Sequence, residues 1–128
     1  MITHDELQTL IHHAAEEGHK ILSVYLNVDQ AHAANLNREF EVPLHNMFRE
    51  IENGIDDAGE REEFRTCAAR VREHVERYRP TGRTLALIAD SSKDFFWARD
   101  FRMAVENQAR WLPRPFVRPF LEARDEYP

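Results

Sequence analysis

Three strand-like runs follow one another in the last third of this chain, and they limit what it can fold into more than any other feature. They are Thr84-Leu85-Ala86-Leu87-Ile88-Ala89-Asp90, then Phe95-Phe96-Trp97-Ala98-Arg99, then a segment ending Gln108-Ala109-Arg110-Trp111-Leu112. Residues 90–94 form a polar hairpin turn between the first two runs, and Asp100 opens a second turn. Pro113, Pro115 and Pro119 then stop further pairing, because proline has no N–H to give to a strand ladder. Strands joined in this way predict an antiparallel meander and argue against a doubly wound parallel sheet.

The preceding residues supply the layer that such a sheet must be buried against. Thr3 with Glu6 three residues on matches a capping box, and Leu7, Leu10, Ile11 and Ala14 recur at helical spacing. This predicts a helix over residues 3–17, closed by Gly18. Residues 21–28 alternate as a strand whose Leu22, Val24, Leu26 and Val28 make one strongly apolar face. Leu36, Phe40, Leu44, Met47, Phe48, Ile51 and Ile55 then trace one helical stripe, with Pro43 either kinking it or marking its first turn. Phe64, Cys67, Ala68, Val71, Val75 and Tyr78 trace a second, ended by Pro80 and Gly82. Residues 121–127 are a last helical turn or a linker. The prediction is an α+β fold: a mostly antiparallel sheet of about four strands packed against helices, in the order α-β-α-α-β-β-β.

The 128 residues suit a single domain, 1–128, and 42% apolar with 31% charged content is ordinary for a globular one. No apolar run approaches the roughly 18 residues of a membrane helix. The acidic start Thr3-His4-Asp5-Glu6 is no signal peptide, and a single cysteine suits a reducing compartment, so a cytoplasmic protein is expected. Charge is uneven. Residues 1–78 carry 8 Lys/Arg against 16 Asp/Glu, and residues 79–128 carry 9 against 7, within a net charge of −6. Such a chain is a poor general phosphate binder. No DNA contact is expected, and any RNA contact must be local and drawn mainly from the second half.

Candidate chemistry is sparse. His12 with Glu16 and His13 with Glu17 are i,i+4 pairs, but the two pairs point about 100° apart on a helix and read as a solvated face. No metal and no cofactor are expected. Cys67 lies on a core stripe, where a thiol has neither access nor a lowered pKa. Glu60, Glu62 and Glu63 beside Arg61 and Arg65 read as a helix start balancing its dipole. Ser91-Ser92 lacks a nucleophile context, and no catalytic residue is expected. The candidates for RNA or partner contact are Lys93, Arg99, Arg102, Arg110, Arg114 and Arg118, interleaved with Trp97, Phe101, Trp111 and Phe116. Arginine beside aromatic rings suits both kinds of contact. The alternative is that the rings face the core while the arginines alternate outward as ordinary strand charges.

Three phrases carry a family resemblance: Leu22-Ser23-Val24-Tyr25-Leu26-Asn27-Val28-Asp29, Leu85-Ala86-Leu87-Ile88-Ala89-Asp90 followed by Phe95-Phe96-Trp97, and Leu112-Pro113-Arg114-Pro115-Phe116-Val117-Arg118-Pro119-Phe120-Leu121. Together they resemble the N-terminal domain of the bacterial archaeo-eukaryotic peptide-chain release factor families, relatives of Pelota. The resemblance implies the first domain of a longer multidomain protein that acts with the ribosome in termination, rescue or hibernation. Such a domain docks on ribosomal RNA or protein, while any Gly-Gly-Gln chemistry belongs to a following domain. No Gly-Gly-Gln occurs here. The helix–helix turn comparable to a stop-codon-reading loop, residues 53–60, is acidic and lacks lysine, which opposes contact with mRNA. The rival expectation is a protein–protein interaction module or homodimer without ribosome contact, and an enzyme ranks last.

Overall fold

The computed structural model describes residues 2–125. Helix α1 (His4–His12) starts as its sequence predicts: the Thr3 hydroxyl accepts from the Glu6 amide at 3.1 Å, and the Glu6 carboxylate accepts from the Thr3 amide at 3.2 Å. It ends at His12, short of residue 17. His13 turns out of the helix into extended backbone (ψ 138°), and Gly18 takes φ +85° in the following turn instead of capping the helix.

Strand β1 (Ile21–Asn27) leads to the short α2 (Ala33–Leu36), then α3 (Glu41–Asn53) and α4 (Ala58–Arg77). The single stripe predicted from Leu36 onward is thus broken, with Arg38 at φ +60° between α2 and α3. Phe40, Leu44 and Phe48 of that stripe are buried, whereas Leu36 is 63% exposed. Pro43 falls at the third position of α3. Amides of the first helical turn have no intrahelical acceptor, so the missing N–H costs nothing there.

Strands β2 (Thr84–Asp90), β3 (Phe95–Phe101) and β4 (Gln108–Leu112) follow, with a 3₁₀ turn at Ser91–Lys93, and α5 (Arg118–Asp125) ends the described chain. Helix α5 takes up most of the last turn predicted over residues 121–127, of which 126 and 127 lie outside the described residues. All strand pairs are antiparallel and the order is β3-β2-β1-β4. The fold class is therefore α+β, with a four-stranded antiparallel sheet. The meander is corrected at its last step, where β4 crosses past β2 to pair with β1 instead of β3. Burial explains the crossing. Nearly every residue of β1 is buried, so a free β1 edge would leave backbone groups without water or partner. The Thr84 hydroxyl anchors the crossing loop, donating to the Met103 carbonyl at 2.7 Å and accepting from the Val105 amide at 3.1 Å.

Both faces of the sheet are covered. On one, Leu22, Val24, Leu26, Leu85 and Leu87 meet Phe48, Phe64, Val71 and Val75 of α3 and α4. On the other, Ile21, Tyr25, Ile88 and Phe101 meet Leu7 and Leu10 of α1 and Phe120 of α5. The result is a three-layer sandwich. No helix among the described residues is long and apolar enough to cross a membrane.

Candidate functional site

The six predicted contact residues do not converge. Arg99 lies on β3, on the same face as Trp97 and Phe101, and its guanidinium reaches the Glu6 carboxylate at 2.7 Å. The Trp97 indole donates to the same oxygen at 3.4 Å. Here ring and cation share a face, contrary to simple in–out alternation along the strand. Burial pushes the Glu6 carboxyl up, but hydrogen bonds from Thr3 and the charge of Arg99 outweigh it, and the net shift is downward. Arg118 is paired with Glu122 one turn on in α5, at 2.9 Å.

Arg110 sits on β4 opposite Ser23, with its guanidinium over the Phe116 ring at 5.1 Å. Arg114 is exposed on the exit segment, two residues before Phe116. Phe116 is itself fixed, since its amide donates to Ser23 Oγ at 2.9 Å and its carbonyl accepts from the Tyr25 hydroxyl. Arg110 and Arg114 therefore share one corner, at the edge and end of the sheet where β4 stops. Lys93 lies on the β2–β3 hairpin at the same end but beside the other edge, and Arg102 follows β3 at the opposite end. Among the described residues, Lys93, Arg102, Arg110 and Arg114 make no ion pair.

A polar cluster with no counterpart among the sequence expectations lies at the end of β2. The Asp90 side chain is fully buried; His13 Nε2 lies 2.7 Å from one of its oxygens. The other oxygen accepts from the Ser92 amide at 3.0 Å and from Ser92 Oγ at 2.6 Å. The His13 ring stacks on Phe95 at 4.2 Å, and Ser92 Oγ accepts from the Glu16 amide at 3.0 Å. This overturns the solvated-face reading of His13, and the end of α1 at His12 also removes the helical spacing of both His–Glu pairs. Asp, His and Ser meet here without forming a nucleophilic relay. In such a relay the serine donates to the imidazole, whereas here both groups turn to the carboxyl. Hairpin position hid the cluster, because a turn aspartate is ordinarily solvated.

The remaining polar groups close structural joints. Glu60 of α4 joins Lys20 at 3.1 Å and the Trp111 indole at 3.1 Å, and His19 joins Glu63 at 3.0 Å. Asp100 accepts from Tyr78 at 2.8 Å and from the Thr81 hydroxyl. Burial raises the Asp100 carboxyl, but these hydroxyls, a backbone hydrogen bond and the charge of Arg99 together bring the net shift downward. Burial pushes the Cys67 thiol up, as a core position dictates. Among the described residues, no three His, Cys, Asp or Glu side chains gather in a way that could hold a metal ion. No protein-family model matches this chain, and no curated protein matches it.

Proposed function

We propose that this chain is a non-catalytic docking domain, the N-terminal part of a cytoplasmic release-factor-like translation factor, and that it contacts ribosomal RNA through the corner holding Arg110 and Arg114. The observation that carries this reading is the state of those two cations: one rests over a fixed aromatic ring, the other is exposed between prolines, and neither has a carboxylate partner among the described residues. A guanidinium stacked on a ring keeps its N–H edge available while its rotamers are already restricted, so a phosphate meets a preorganised donor. Pro113 and Pro115 restrict the backbone around Arg114 to the same effect. Local contact of this kind suits a domain whose net charge of −6 opposes broad phosphate binding.

The likeness of the strand and exit phrases to release-factor relatives supplies the kind of partner. The contact set narrows accordingly. Arg99 and Arg118 are held in ion pairs, and Lys93 and Arg102 lie away from the corner.

Co-sedimentation with purified ribosomes tests the reading. The wild-type protein pellets at low salt and is released at raised salt. The double change Arg110→Ala/Arg114→Ala weakens pelleting, so that release occurs at lower salt, while Arg102→Ala leaves it intact. Equal pelleting of the double variant and the wild type refutes the assignment. A salt-insensitive dimer in light scattering, with no pelleting at all, favours a dimerisation module instead.

A further inference from the structure

At the end of the sheet remote from the Arg110–Arg114 corner, a cleft of about 440 Å³ opens between the end of β1, the start of α3 and the residue preceding β4. The cleft is broad and open to solvent, a shape that suits a segment laid across it and not an enclosed small molecule. Asn27, Asn107, His32 and Glu39 make its polar side, and Val42 and Pro43 its apolar side. We infer that this cleft binds an extended peptide segment in which an apolar side chain stands beside a lysine or arginine.

Hydrogen bonding within the protein sets the orientation of both carboxamides. Asn27 Oδ1 accepts from the Asp29 amide at 3.0 Å and from Asn35 Nδ2 at 3.2 Å, and Asn107 Oδ1 accepts from the Asn27 amide at 2.6 Å. The oxygens are thus engaged, while among the described residues neither the Asn27 nor the Asn107 Nδ2 group makes a hydrogen bond. Two amide donors in one cleft suit backbone carbonyls, which an extended peptide supplies at regular spacing.

Charge selects the side chain. The Arg38 guanidinium turns to Glu41 at 3.6 Å, and Glu39 has no ion-pair partner among the described residues. Among the described residues, neither lysine nor arginine lines the cleft. Glu39 disfavours a phosphate or carboxylate beside it, whereas an ammonium or guanidinium there gains a partner. The apolar side supplies the third element. Val42 is 59% exposed on the cleft wall, and Leu36, one residue beyond Asn35, is 63% exposed. An apolar side chain laid against Val42 and Pro43 removes from water a surface the fold itself leaves wet.

The inference does not rest on ribosome docking, and its test is separate. Acetyl-Leu-Lys-Leu-amide and acetyl-Leu-Glu-Leu-amide are titrated into the isotope-labelled protein at low salt and followed by NMR. The lysine peptide shifts the side-chain amide signals of Asn27 and Asn107 and the methyl signals of Val42, and the glutamate peptide leaves them in place. The exposed-site variants Glu39→Lys and Val42→Asp, whose remaining signals stay unchanged, each bind the lysine peptide at least about tenfold more weakly. Equal response to both peptides, shifts that map elsewhere, no response at all, or unaltered binding by the variants would each overturn the assignment.

Discussion

Replacing His13 by alanine probes the contact that locks α1 to the sheet. The wild-type imidazole stands 2.7 Å from a fully buried carboxyl oxygen and is itself only 13% exposed. Its removal leaves a buried acceptor short of a partner, a loss of about 1–3 kcal/mol. It also strips the ring stacked on Phe95 at 4.2 Å, worth about 0.5–1.5 kcal/mol beyond burial. Ser92 continues to serve the other oxygen through two hydrogen bonds, so the damage stays local. The expected cost is about 2–4 kcal/mol of unfolding free energy.

Urea denaturation measures it, and a double-mutant cycle isolates its cause. In an Asp90→Asn background the orphaned carboxyl is absent, and His13→Ala costs about 1–2 kcal/mol less than in the wild type. A cost within about 0.5 kcal/mol of zero, or one identical in both backgrounds, refutes the assignment of the pair as the lock.

Other perturbations reach separate parts of the structure. Arg38 donates to the Tyr78 carbonyl at 2.9 Å and the Val75 carbonyl at 2.6 Å, closing the C-terminus of α4. Arg38→Ala therefore destabilises by about 2–3 kcal/mol, and Arg38→Gly by about 1 kcal/mol less, because φ +60° suits glycine. Equal melting of the two variants contradicts this. Phe64→Ala, which removes edge contacts with Phe48 and Trp111 at the centre of the helical layer, costs about 3–5 kcal/mol in the same denaturation assay. Glu6, shifted below its ordinary value, stabilises the fold above the normal carboxyl range and loses that contribution as pH falls through its lowered folded pKa. Glu6→Gln accordingly flattens the acid limb of the stability–pH curve, and an unchanged limb would contradict the downward shift that the Thr3 hydrogen bonds and Arg99 give Glu6.

Where local rules decide the outcome, the residues could be read directly. Thr3 and Glu6 form the capping box their spacing predicts, and the stripes of Phe48 and of Phe64–Val75 face the sheet as their periodicity requires. The end of α1 could not be read this way, because His13, the residue that leaves the helix, meets Asp90, 77 positions further along the chain. The same holds for β4. Its choice of β1 over β3 follows from burial of both β1 faces, and Ile21, Ser23 and Tyr25 do not announce a second covering layer when read as alternating strand residues. That layer comes from α1 and from Phe120, beyond the proline exit that marked the end of strand pairing.

The candidate site was legible as a composition and illegible as a place. Arginine beside aromatic residues marked residues 93–118, but strand order sends Arg99 and Arg110 to opposite edges of the sheet, and Glu6 claims the first. Of the six candidate residues, Arg110 and Arg114 beside Phe116 remain together as a local cationic feature. The Asn27–Asn107 cleft had no sequence signal, since it joins residues 80 apart through one side-chain hydrogen bond.

The most direct test of ribosome docking through that corner is the salt dependence of ribosome affinity. A plot of log affinity against log salt should slope downward for the wild type. Arg110→Ala/Arg114→Ala should reduce that slope by about 2, one for each phosphate no longer neutralised. A slope unchanged by the double substitution would place the binding surface elsewhere on the molecule and contradict docking through this corner.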